Sequence, residues 1–214
     1  MEDTLKKVED AVVNSKCIHH SVINAGKVVL MQKDQLLTQS VVTADLINAD
    51  GQSIVWAARF LGLRIPERVA GIDLMENLIS LSHKNSYKCF FLGASKEVVE
   101  ELVSKYSKQY SKNMIAGYRN GYFNSDEEKN IVEEITNSGA NILFVAITSP
   151  KKEIFLNRYK EDLKCINFIM GVGGSFDVIV GKVKRAPLVA QKLGLEWLYR
   201  LLQEPRRMWK RYLV

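Results

Sequence analysis

Short apolar, strand-like runs alternate along this chain with segments whose apolar residues recur at helical spacing, and that alternation constrains the fold more than any single residue does. Residues 17–23, 86–92, 113–116, 141–147 and 165–170 read as strands. Between them lie helical patterns at 52–63, 96–110 and 126–137, an apolar run through Leu74, Met75, Leu78, Ile79 and Leu81, and a helix opened by Pro150. Strands separated by helices imply βαβ units. The expectation is therefore an α/β, Rossmann-like, mostly parallel sheet with helices on both faces. With 214 residues, 47% of them hydrophobic, the chain can fill one core. Residues 1–196 read as that core and residues 197–214 as a basic helical C-terminal appendage. No internal repeat or low-complexity segment interrupts it.

Ligands of such sheets bind beyond the carboxyl ends of the strands, so the turns there matter most. Two carry acids one helix apart: Ala49-Asp50-Gly51 and Gly71-Ile72-Asp73. Asp73 also precedes an apolar run, so a helix N-cap is an equally physical use for it. A third turn, Gly171-Val172-Gly173-Gly174-Ser175-Phe176-Asp177, spaces glycines so that backbone can approach a phosphate ahead of a helix N-terminus. A tight strand-to-helix turn explains it equally well. It is not the GxGxxG dinucleotide fingerprint, because Phe176 or Asp177 stands where the third glycine belongs. Gly93-Ala94-Ser95 is a turn of the same kind. In Ser149-Pro150-Lys151-Lys152-Glu153 a lysine can reach a phosphate and Glu153 can accept sugar hydroxyls, though a Pro-started helix with an early acid is the plainer account.

Several classes are excluded. Cys17, Cys89 and Cys165 are odd in number and widely spaced, each opening an apolar run; they read as buried, reduced thiols, not a disulfide framework. His19, His20 and His83 do not form a metal-ligand pattern, and no Asp-x-Asp pair offers to hold a divalent ion on a diphosphate. No leading segment resembles a signal peptide, and no uncharged apolar run is long enough to span a bilayer. The formal net charge is +6, and residues 197–214 supply +4 of it through Arg200, Arg206, Arg207, Lys210 and Arg211 against Glu204. Aromatic residues Trp197, Tyr199, Trp209 and Tyr212 accompany them. On a helix Arg200, Arg207 and Arg211 share a face. Such a segment suits an anionic membrane or a diphosphate. Confined to one tail, the charge argues against nucleic acid.

Read in order, Asn24-Ala25-Gly26, Asn48-Ala49-Asp50-Gly51, Arg68-Val69-Ala70-Gly71-Ile72-Asp73-Leu74, Phe91-Leu92-Gly93-Ala94, Ser149 to Glu153, the 171–177 turn, Gly181-Lys182-Val183-Lys184-Arg185-Ala186-Pro187 and Leu195-Glu196-Trp197 resemble the bacterial WecG/TagA/CpsF glycosyltransferase family over nearly the whole chain. The resemblance implies an inverting, metal-independent and cofactor-free transfer of a sugar from a UDP donor to a polyprenyl-diphosphate-linked acceptor. N-acetylmannosamine or its uronic acid is the best-fitting sugar. Exopolysaccharide hexosyl transfer within the same family is the alternative, and a non-catalytic nucleotide-binding module is the rival from another class. By resemblance Asp73 is the general base. Asn24, Asp50, Gly51, Arg68, Gly93, Lys151, Glu153, Gly171, Gly173, Gly174, Phe176, Asp177 and Arg185 face donor or acceptor. Arg200, Arg206, Arg207, Lys210 and Arg211 meet the lipid diphosphate or the inner face of the plasma membrane, where the protein would sit peripherally from the cytoplasm. A homo-oligomer is left open. The chain departs from the family at Lys152, where members commonly carry Gln. Its two ends also read as shortened.

Overall fold

The computed structural model of this chain describes residues 1–192, 194–203 and 205. It begins with α1 (Glu2–Val13), β1 (Ile18–Ile23), α2 (Ala25–Met31), α3 (Gln35–Val42), β2 (Leu46–Ala49), α4 (Gln52–Phe60) and α5 (Gly71–Asn85). There follow β3 (Cys89–Gly93), α6 (Lys96–Gln109), β4 (Ile115–Arg119), α7 (Glu128–Asn137), β5 (Ile142–Ala146) and α8 (Lys151–Arg158). The described chain ends with β6 (Phe168–Gly171), α9 (Ser175–Ile179), α10 (Leu188–Lys192) and α11 (Glu196–Gln203). The six strands form one sheet in the order β2-β1-β6-β5-β3-β4, and every pair is parallel, a stricter result than the mostly parallel sheet the sequence suggests.

Burial explains why the central strands read so clearly. Every residue of β3, β5 and β6 is buried, as expected for strands covered on both faces. One face packs Phe91, Phe144, Phe168 and Met170 against α1, α5, α6 and α9 through Val8, Leu78, Leu102 and Phe176. The other packs Phe90, Leu92, Leu143 and Ile169 against α7 and α8 through Ile131, Ile135, Phe155 and Leu156.

Two expectations are corrected. Residues 24–49 hold α2, α3 and β2, none of which the periodicity marked. Asn24 and Asp34 open the two helices by accepting from the backbone amides of Lys27 and Leu37, each at 3.0 Å. Cys165 is exposed in a single 3-10 turn (Asp162–Cys165) and does not start β6; of the three cysteines only Cys89 is fully buried.

Strands β1 and β6 are neighbours whose outgoing chains part. From β1 the chain enters α2, whose Lys27 reaches α8 on the second face; from β6 it enters α9, whose Phe176 belongs to the first. A crevice opens beyond the carboxyl ends of strands that diverge in this way.

Candidate active site

The site is built on the crossover that leaves β2. The backbone amide of Asp50 donates to the carbonyl of Ile23 at 2.8 Å, which ties the end of β2 to the end of β1. Gly51 follows, and a Cβ placed on it would lie 3.8 Å from the Cβ of Asn24, so these two turn residues are adjacent. The Arg68 guanidinium lies 3.9 Å from the Asp50 carboxylate, bonds Glu196 on α11, and donates to the Gln191 carbonyl at 3.3 Å. Its Nε is buried without a hydrogen-bond partner.

Asp73 stands in the first turn of α5. It is not the cap: that position is Ala70, with no side-chain bond, so the capping alternative fails. Its carboxylate instead takes both ends of the Arg185 guanidinium, at 2.6 and 2.8 Å. This planar fork is the strongest form of the pair and fixes both side chains. The bond to Asp73, with the Asp73, Glu196 and Asp50 charges beyond it, raises the Arg185 pKa against the opposing effect of burial. Arg185 therefore links the two acidic clusters into one field. Its Nε, like that of Arg68, is buried and unpartnered.

A second constellation lies over β1 and β6. Lys27 on α2 and Lys152 on α8 both meet Oε1 of Glu153, at 2.8 and 3.2 Å, and all three side chains are buried. Burial pushes the Glu153 carboxyl upward, yet the two ammonium groups outweigh it and hold the pKa at about 2. A Cβ on Gly171 would sit 2.5 Å from the Lys152 side chain, so the glycine at the end of β6 leaves room for that lysine. Together with His19, His20, Ser21 and Thr43 these groups line a cavity of about 30 Å³, room for roughly two waters. His20 also bonds Asn48 at 2.8 Å, and burial lowers the pKa values of His19 and His20 to about 4.

Other sequence-predicted residues lie elsewhere. Lys151 donates to the Phe123 carbonyl at 2.8 Å and sits 4.2 Å from the centroid of its ring, on the β4 side of the sheet. Gly93 has φ +133°, and a Cβ there would be 2.4 Å from the Ala146 carbonyl oxygen, so close strand approach alone requires glycine. Phe176 is fully buried, edge-on to Phe91. Asp177 is 4.0 Å from Lys182. Gly173 borders open space and Gly174 precedes α9. Arg200 lies in α11, while Arg206, Arg207, Lys210 and Arg211 lie outside the described residues. Sequence reasoning missed Lys27 and Glu196, which nothing in their local spacing marks as partners of Glu153 and Arg68. Among the described residues no three His, Cys, Asp or Glu side chains gather as a metal site, and no helix is long and apolar enough to cross a membrane.

The molecule is an α/β protein whose acids and arginines gather past the ends of a parallel sheet, the edge at which such folds hold their ligands. The whole chain, residues 1–214, matches the model of the glycosyl transferase WecG/TagA/CpsF family, and the protein belongs to that family of glycosyltransferases.

Proposed function

We propose that this glycosyltransferase moves a sugar, N-acetylmannosamine or its uronic acid, from UDP to a polyprenyl-diphosphate-linked sugar in bacterial cell-surface polysaccharide synthesis, working at the inner face of the plasma membrane. The observation that carries this reading is the Asp73–Arg185 fork in the first turn of α5, beside Asp50, Arg68 and Glu196.

The acceptor hydroxyl attacks the anomeric carbon as the bond to the UDP oxygen breaks, inverting that centre in one displacement. Asp73 takes the hydroxyl proton; the fork holds its carboxylate in one orientation, and its partial exposure leaves an edge for the acceptor. Negative charge grows on the departing diphosphate. Arg185, with its unpartnered Nε, and the backbone amides of Gly173 and Gly174, beyond the Val172 amide that closes the sheet on the Val145 carbonyl, answer that charge. Arg185 thus faces both the base and the leaving group. Asn24, Asp50 and Gly51 border the acceptor and donor sugars, and the basic appendage approaches the lipid diphosphate.

A panel of UDP-sugars offered with a lipid-diphosphate-linked N-acetylglucosamine acceptor tests the proposal by UDP release. Release with one donor, dependent on the acceptor, is the expected result. UDP binding without turnover for any donor would leave only a nucleotide-binding module.

A further inference from the structure

Among the described residues, the connection from α4 to α5 presents an apolar surface left largely uncovered, with only the edge of the Trp56 ring bordering the turn at Gly194. Phe60 is 92% exposed, Leu61 70%, Leu63 60%, and Trp56, one helical turn before Phe60 on the same face of α4, 55%. Single exposed apolar residues are ordinary, but a contiguous group marks a contact surface. Arg59 and Arg64, both exposed, flank it, and Arg59, Gly62, Leu63, Arg64, Ile65 and Pro66 line an open cleft of about 490 Å³. Glu67, three residues beyond Arg64, is paired with the N-terminal ammonium.

The surface is held in shape. The Leu63 amide donates to the Ala58 carbonyl at 2.8 Å and the Gly62 amide to the Arg59 carbonyl at 3.0 Å, with Gly62 at φ +74°. That is a Schellman closure of α4, and it fixes the direction of Leu61 and Leu63.

We propose that this loop is a membrane-contact element: Phe60, Leu61 and Leu63 enter the headgroup–acyl boundary of an anionic bilayer, Trp56 lies at the interface, and Arg59 and Arg64 pair with lipid phosphates. Charge and size select this occupant over a second copy of the chain. A two-fold contact would set the patch against itself and oppose arginine to arginine. Four side chains, at roughly 150–250 Å² for each aromatic, also fall short of the ~800 Å² per partner that a stable interface needs. A bilayer complements both the apolar and the cationic groups. The loop runs directly into Arg68 and Asp73, so its insertion would bring the strand-end crevice to the membrane surface. That purpose rests on the lipid-linked acceptor proposed above; the lipid contact itself does not.

The test uses the full chain with phosphatidylcholine vesicles, with and without phosphatidylglycerol. Changing Phe60, Leu61 and Leu63 together to Ser should lower partition into mixed vesicles by at least about tenfold, since the buried apolar area is lost. Arg59→Gln with Arg64→Gln should lower it by roughly twenty-five-fold on mixed vesicles, at about fivefold per cation, and leave binding to phosphatidylcholine alone unchanged. Brominated lipid should quench a component of the fluorescence that Trp56→Phe removes, which tests the contact without altering the loop. Unchanged partition in both variants, or no Trp56-dependent quenching, overturns the proposal. So does a triple Ser variant that changes the oligomeric state while still binding vesicles, because the face is then a subunit contact. Vesicle binding is scored without any sugar transfer, so an inactive protein that binds through the loop would sink the acceptor reading and leave this one standing.

Discussion

Asp73 illustrates how much one residue's surroundings decide. A carboxylate in the first turn of a helix gains about 0.3–1 kcal/mol from the helix dipole, and a partly exposed ion pair adds about as much. Neither makes it a base; position beside an acceptor does. Asp73→Asn keeps the size of the side chain and one contact to Arg185. It should cut sugar transfer by at least about a hundredfold, the range of general-base catalysis, with UDP affinity within a few-fold and an unchanged circular dichroism spectrum. Near-normal turnover in that folded variant would remove Asp73 from the mechanism. Arg185→Gln differs in kind, because it releases Asp73 and, on the mechanism proposed above, would also withdraw charge from the leaving group. Its donor KM should rise and its kcat fall together, whereas Asp73→Asn should act mainly on kcat. If Arg185 and backbone amides neutralise the diphosphate, EDTA should leave turnover intact; loss of activity restored by Mg²⁺ would mean that these groups do not suffice.

Between elements, the junction of α2 and α8 is the most vulnerable point described. Two buried ammonium groups share one carboxylate oxygen there. Removing the acid charge with Glu153→Gln takes a buried carboxylate from both lysines and should cost about 3–5 kcal/mol, the usual penalty for breaking a buried pair. Lys152→Gln removes the longer of the two contacts and leaves the Lys27–Glu153 pair in place, so it should cost clearly less than Glu153→Gln in a urea titration. Equal destabilisation by the two changes would show that Lys152 is as necessary as the acid. The elements also show what the sequence could reveal. Strands β5 and β6 were legible as short continuous apolar runs because both of their faces are buried, and helices α6 and α7 because burial of one face imposes a helical period. Strand β2 was not: it is four residues long, lies at the sheet edge and includes Asn48. Strand β4 was cut short at Gly117, which reads as a turn but is glycine because a Cβ would come within 2.6 Å of the Phe90 ring. Asp50 and Asp73 could be found because acids at element ends stand out. Arg185 and Glu196 pair with Asp73 and Arg68 across 112 and 128 residues, and no local spacing encodes such partners.

For the molecule as a whole, two titrating systems set the acid limit of stability. His19 and His20 are held near pKa 4 against an ordinary 6.5, so the unfolded chain binds protons first and stability falls as pH drops from 6.5 toward 4. By pH 5 this amounts to at most about 2 kcal/mol per histidine. Glu153, with its pKa lowered to about 2 from 4.5, contributes stability above 4.5 that is lost as pH falls through the range below it. The melting temperature should therefore decline in two stages, the first between pH 6.5 and 4. His20→Gln, which can still bond Asn48, should remove about half of that first stage. An unchanged slope would place the titration elsewhere.

The sheet is complete once β6 has been made, yet the partners of Asp73 and Arg68 lie further on, at Arg185 and Glu196. At about 5–20 residues per second on a ribosome, the core can settle a few seconds before its charged edge is finished. During that interval Asp73 is present without Arg185, and Arg68 without Glu196. The capacity for chemistry would thus be among the last properties a newborn chain acquires, and a chain terminated early would keep its shape while lacking its purpose.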